Sequence, residues 1–269
     1  MWETMKTAGR PPIPLPSGQG IAERCDLARD AARDLSAMAA LVLLIALGLA
    51  LVAGMGMDYA LKAGLVFAVG AWLVWRGLSA HPHPRFGPAN RVTLVRLVLL
   101  ALIAALLGEP FPRAPLSATP TAAWCLAIVA AVTALLDAVD GVLARRSGLS
   151  SAFGARFDME TDAAFTLVLC MLVVQSGQAG PWILAAGLMR YGFVVAALAW
   201  PWLSAPLPSS KRRQTVCAIQ ITTLIACLAP IVPPLLAASL AAISLTLLTL
   251  SFATDMRTLA QQRPTPPET

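Results

Sequence analysis

From Ser36 to Met57 the chain runs without a charged side chain, and from Ala163 to Ser210 it does so with one exception, Arg190. Runs of this length can cross the roughly 30 Å of bilayer hydrocarbon as helices. They also restrict the fold, because in lipid every backbone N–H and C=O must be paired internally, which leaves helices and closed barrels. Barrel strands alternate in polarity, whereas these runs are continuous, so the spans are helical. Composition agrees: 58% hydrophobic and 13% charged residues, with a mean hydropathy of +0.72, describe a multi-span membrane protein and exclude a soluble domain.

Eight spans are expected: Ser36–Met57, Lys62–Leu78, Val92–Leu107, Ala122–Leu143, Asp158–Val174, Trp182–Leu203, Thr215–Ala229 and Leu235–Ala253. Pro181 and the cluster Pro230, Pro233, Pro234 separate runs that would otherwise merge, since proline breaks a helix interior. Ahead of the spans, Met1–Gly20 is rich in proline and polar residues, a disordered type of segment. It has no apolar core and is not a signal peptide. Ile21–Leu35 alternates charge through Arg24, Asp26, Arg29, Asp30, Arg33 and Asp34 and reads as a surface helix entering the membrane. The expected organisation is a partly disordered cytoplasmic tail over 1–35, two transmembrane helices over 36–80, a membrane domain from residue 86 onward, and a C-terminal tail over 258–269.

With the N-terminus inside, the outward turns hold only Lys62 and Arg113, while Arg85, Arg91, Arg96, Arg145, Arg146 and Lys211–Arg213 fall inward. That satisfies the positive-inside rule. The net charge of +6 then needs no nucleic-acid partner, since anionic headgroups and phosphorylated substrates account for it. Five cysteines show no paired or metal-type spacing and read as small buried apolar residues. His81-Pro82-His83-Pro84 reads as a loop that breaks the chain.

Against this apolar background, four aspartates lie close together: Asp137 and Asp140, followed by Gly141, Ala144 and Arg145, then Gly154, Asp158 and Asp162. On a helix over Ala122–Arg146, positions 137, 140, 141, 144 and 145 share one stripe, and 158 and 162 share a face of the next helix. The connection Arg146–Phe153, with Ser147-Gly148 and Ser150-Ser151, reads as a short turn that sets the two helices antiparallel and brings the acidic faces together. Clustered carboxylates in a low dielectric demand a cation or a proton. A divalent ion is the simplest answer, and all-oxygen ligation selects Mg²⁺ or Mn²⁺ over zinc. Gly141, Ala144 and Gly154 leave room for a ligand, and Arg145 offers a planar donor fork suited to phosphate.

The pattern D-x2-D-G-x2-A-R-x8-G-x3-D-x3-D resembles, at every fixed position, the signature of the CDP-alcohol phosphotransferases, integral membrane enzymes of phospholipid synthesis. Pro88-Ala-Asn90-Arg-Val-Thr93-Leu-Val-Arg96 resembles the segment leading into that family's first core helix. Ser210-Lys-Arg-Arg-Gln-Thr215 resembles a degraded form of its Gly-Lys-x2-Thr element. The likeness runs from Phe86 to Arg257 and implies an all-α integral membrane fold, a six-helix catalytic core over 86–257 preceded by two extra transmembrane helices.

What the resemblance implies about chemistry is specific. A phosphatidyl group would pass from CDP-diacylglycerol to the hydroxyl of a small alcohol, with release of CMP. Asp137, Asp140 and Asp158 would hold Mg²⁺ or Mn²⁺. Asp162 would be the catalytic base, also within reach of a second ion. Gly141 and Ala144 would admit the cytidine, Arg145 and Thr93 would contact donor phosphates, and Asp137 and Gly154 would complete the donor site. Arg156, Arg190, Lys211 and Arg212 would bind an anionic acceptor such as a polyol phosphate, with pairing of Arg190 to Glu160 as the structural alternative. A homodimer in a bacterial-type inner membrane, with its active site facing the cytoplasm, is expected on the same ground. A cation transporter with an acidic site and a catalytically lapsed scaffold are the competing readings. The first would scatter its carboxylates over several helices around a pore, and the second would have lost an aspartate.

Overall fold

The computed structural model describes residues 17–83, 85–109, 120–147, 151–204 and 210–261. Among them the regular structure is helical, without a strand. Eight α-helices follow one another: α1 Ser17–Val52, α2 Met57–Gly77, α3 Pro88–Ala104, α4 Pro120–Ser147, α5 Ala152–Gln175, α6 Leu184–Ala199, α7 Lys211–Leu228 and α8 Pro234–Gln261. Five segments, Arg24–Val52, Met57–Gly77, Thr121–Gly141, Pro181–Ala199 and Pro234–Gln261, are long and apolar enough to cross a membrane. The chain is an all-α multi-pass membrane protein. The remaining three helices are short or charged: α3 has 17 residues, α5 carries Arg156, Asp158, Glu160 and Asp162 in its first turns, and α7 opens on Lys211-Arg212-Arg213.

Helix boundaries follow the local chemistry. Gly54 and Gly87 have φ of 68° and 87°, a region open to glycine at little cost, and they precede α2 and α3. Pro88 then occupies the first turn of α3, where its missing N–H would be unpaired in any case. Two boundaries differ from expectation. The disordered segment expected over Met1–Gly20 lies outside the described residues up to 16, but Ser17–Gly20 already belong to α1. The charged segment Ile21–Leu35 is helical and runs straight into the first span, so that α1 continues unbroken for 36 residues. At the other end, α8 runs on to Gln261, into the stretch expected as a tail, and residues 262–269 lie outside the described residues.

α5 starts with a side-chain cap. Ser151 has extended backbone geometry and its Oγ accepts a hydrogen bond from the Gly154 N–H at 3.0 Å, pairing one of the donors a helix start leaves open. Ser151→Ala should therefore cost about 1 kcal/mol, read as a lower Tm of the purified protein in detergent.

α3 is the centre of the bundle. It packs against α1, α2, α4 and α5, and eleven of its residues are buried, including Asn90, Thr93 and Arg96. A helix buried over most of its circumference needs no polar face, and that explains how a helix with so little amphipathic character is held. α7 closes the other side of the site by packing on α4, α5 and α8.

Candidate functional site

α4 contributes Asp137 and Asp140 near its C-terminal end, and α5 contributes Asp158 and Asp162 near its start. All four converge on Arg96 of α3. Its Nη1 lies 2.9 Å from Asp137, 3.0 Å from Asp140 and 2.5 Å from Asp158, and Nη2 pairs with Asp162. The Arg96 side chain is 1% exposed, a position a guanidinium tolerates only with such partners. Four carboxylates against one guanidinium leave the cluster with an excess of negative charge. Asp137, Asp158 and Asp162 each turn one carboxylate oxygen to within 4.8 Å of the others. Three convergent oxygen donors fit Mg²⁺ or Mn²⁺ in number and kind.

Asp140 stands apart from this trio. It is 4% exposed, against 37%, 35% and 33% for Asp137, Asp158 and Asp162. Its Oδ2 accepts from Arg96 Nη1 and, at 3.2 Å, from Thr93 Oγ1. Three aspartates thus stay partly exposed while Asp140 lies buried behind them, holding Thr93 and Arg96 of α3.

The other expected site residues are placed as follows. Gly141 is half-buried one turn beyond Asp137 on α4. Ala144 and Arg145 lie on the last turn of α4, and their side chains fall outside the described residues. At Gly154 the missing side chain also serves packing. A Cβ there would stand 2.8 Å from Asn90 Oδ1 and 3.3 Å from Ser151 Oγ, so the missing side chain lets α5 start against α3. Gly154→Ala should push Asn90 aside and tilt the start of α5, lowering activity by about tenfold or more with a small loss of Tm. The check is kcat against folded yield.

Arg190 does not join the cluster. Its Nη2 pairs with Glu160 Oε1 at 2.5 Å and its Nη1 lies 3.0 Å from Met159 Sδ, so the pairing with Glu160 is what is observed. Arg156 is exposed on the first turns of α5. Lys211 is exposed at the start of α7, where Arg212 pairs with Asp255 of α8 at 2.5 Å and Arg213 approaches the same carboxylate at 3.8 Å. Cations at a helix N-terminus oppose its dipole, and Asp255 offsets that cost. His81 is part of the fold: its Nδ1 accepts from the His83 N–H at 3.1 Å, its Nε2 lies 3.2 Å from Asn90 Nδ2, and its ring meets Phe153 edge-on. Burial pushes its imidazole below the ordinary value, since desolvation penalises the charged form.

Arg96 is the residue that sequence reasoning did not place in the site. The signal was present, since it is the one charge between Val92 and Leu107, and an ionised group at membrane depth implies a partner.

The profile of the CDP-alcohol phosphatidyltransferase family matches residues 86–254, more than half of the chain. The protein belongs to that family. Comparison with curated proteins and with solved structures found no match in either. CDP-alcohol phosphatidyltransferases are enzymes that transfer a substituted phosphoryl group from a CDP-alcohol and generally use a divalent metal, and the Asp137, Asp158 and Asp162 trio is compatible with one. The match takes in α3 through most of α8 and leaves α1 and α2 outside it.

Proposed function

We propose that this CDP-alcohol phosphatidyltransferase moves the phosphatidyl group of CDP-diacylglycerol to the hydroxyl of a small alcohol and releases CMP. The convergence of Asp137, Asp158 and Asp162 beside a buried Arg96 carries the reading. When bound there, a divalent ion neutralises the pyrophosphate and acts as a Lewis acid on the phosphoryl oxygens. Asp137 and Asp158 would hold it with Asp162 beside them, and Asp140 behind them fixes Arg96 and Thr93. Asp162 takes the proton of the acceptor hydroxyl as its oxygen bonds to phosphorus. The bond from that phosphorus to the bridging oxygen breaks, and CMP leaves with the electron pair. Arg96 holds the carboxylates together and offsets part of their mutual repulsion in a medium that disfavours charge. Gly141 and Ala144 leave space for the cytidine, and Thr93, Arg145 and Gly154 belong to the donor end.

Arg156, Arg190, Lys211 and Arg212 make up the acceptor side in this reading, and their charge favours an anionic alcohol such as a polyol phosphate. The catalytic domain spans 86–257, preceded by the two transmembrane helices of 36–80, and the enzyme works as a homodimer in a bacterial-type inner membrane. Its N-terminus and active site face the cytoplasm, in line with the inward basic residues.

The test is CMP release by purified protein given CDP-diacylglycerol and Mg²⁺ or Mn²⁺, across glycerol 3-phosphate, inositol, inositol phosphate, serine and choline. Acceptor-dependent release identifies the alcohol. Absence of release with every acceptor, from folded protein that also fails to bind the CDP-lipid, would sink the proposal in favour of a lapsed scaffold.

A further inference from the structure

The family match starts at Phe86, yet helices from outside it hold α3 at both ends. At the N-terminal end, Asp30 of α1 accepts from the Phe86 backbone N–H at 3.1 Å and from Arg91 Nη2 at 3.0 Å. Asp34, one turn later, accepts from Arg91 Nε at 2.7 Å. At the opposite end, Tyr59 Oη of α2 donates to the Leu102 carbonyl at 3.0 Å. Lys62 Nζ donates to the Leu107 carbonyl at 3.2 Å and to Glu109 at 2.5 Å. Tyr59 is buried, and Lys62 lies where the carbonyl end of a helix favours a cation. Between these ends the contact is apolar. Gly70 of α2 faces Leu97, the neighbour of Arg96, so closely that a Cβ would stand 2.7 Å from it.

The distribution of polar contacts has a mechanical meaning. α3 has 17 residues, about 25 Å of helix, less than the roughly 30 Å hydrocarbon thickness. Apolar packing is non-directional and resists separation of helices more than sliding along the axis. Hydrogen bonds have narrow distance and angle limits, so a slide of one residue, about 1.5 Å, would break them. The residue most sensitive to such a slide is Arg96, whose two terminal nitrogens must reach carboxylates on both α4 and α5.

We propose that the α1–α2 hairpin is a positioning element of the active site, which grips α3 at both ends and sets the axial position of Arg96 against the four aspartates. Asp30, Asp34, Tyr59 and Lys62 are positioning residues that act through Arg96. Only the activity readout of the test rests on the phosphatidyltransferase reading above.

The experiment uses the full chain in detergent with three changes: Asp30→Asn/Asp34→Asn, Tyr59→Phe/Lys62→Met, and Arg91→Glu with and without Asp34→Lys/Asp30→Asn. Three quantities are read: Tm, kcat and KM for CMP release, and the Kd of Mn²⁺ by electron paramagnetic resonance without substrate. Small misplacements of reacting groups cost about tenfold to hundredfold in rate. The expected result is a kcat loss of that size with donor KM unchanged, a Mn²⁺ Kd shifted in the same variants, and recovery when the charge-swapped partners are combined. Wild-type kcat and Mn²⁺ Kd in both hairpin variants, or losses that only track the folded fraction, would overturn the proposal. Should one double variant fail to fold, Tyr59→Phe alone removes a single hydroxyl and decides the same question through the Mn²⁺ Kd. Wild-type protein that binds Mn²⁺ but releases no CMP would refute the reaction and leave the positioning role to be judged on the Kd.

Discussion

Arg96→Met is expected to abolish CMP release and to make folding of the protein depend on a divalent cation. Removing the guanidinium leaves Asp137, Asp140, Asp158 and Asp162 facing one another across α4 and α5. Breaking a buried ion pair from one side costs about 3–5 kcal/mol, and here four carboxylates lose the same partner. A divalent ion placed among Asp137, Asp158 and Asp162 would restore much of the lost neutralisation. Thermal unfolding in detergent should therefore show a low Tm in chelator and a rise on adding Mn²⁺ that is larger for the variant than for the wild type. Arg96→Lys keeps the charge but concentrates it at one point, where the fork presents two nitrogens to opposite sides. That variant should fold better than the methionine one and remain severely impaired in kcat. An Arg96→Met protein with wild-type Tm in chelator and wild-type activity would contradict the picture of the site.

The second large effect separates the aspartates from one another. Asp162→Asn should lower kcat by about 10²–10⁴-fold, the range for losing a general base, and be little corrected by more metal, whereas Asp158→Asn and Asp137→Asn should lower kcat less and recover in part as Mn²⁺ is raised. Asp140→Asn should behave differently. It is the buried member of the set, and its carboxylate serves Arg96 and Thr93, so its loss should appear first as lower stability, with a smaller change in the Mn²⁺ Kd. Titrating each variant with Mn²⁺ while following Tm and CMP release distinguishes the two behaviours. Equal losses of Mn²⁺ affinity in all four would place Asp140 among the metal ligands.

The parts of the protein that periodicity and composition report directly were legible in advance. Uncharged runs located the helices because lipid forbids unpaired backbone. Asp137 with Asp140, and Asp158 with Asp162, were bound to share helix faces because their spacing follows the helical repeat. Side-chain partners from remote elements were a different matter. Nothing in the segment around Arg96 says that one guanidinium meets four carboxylates more than forty positions away. The closeness of Asn90 to Gly154 and the pairing of Arg190 with Glu160 likewise join residues far apart in the chain, and no local spacing announces them.

The amino-acid sequence by itself determined that the chain is a helical membrane protein and that Asp137, Asp140, Asp158 and Asp162 lie on two consecutive helices, because both follow from local rules of hydropathy and helical spacing. Only the tertiary structure decided that α3 sits between those helices, that Arg96 holds Asp137, Asp140, Asp158 and Asp162 together, and that α1 and α2 reach both ends of α3. Those contacts depend on how the axes pack and at what depth each helix stops, and packing of apolar surfaces is non-directional enough that no spacing along one helix encodes its neighbour.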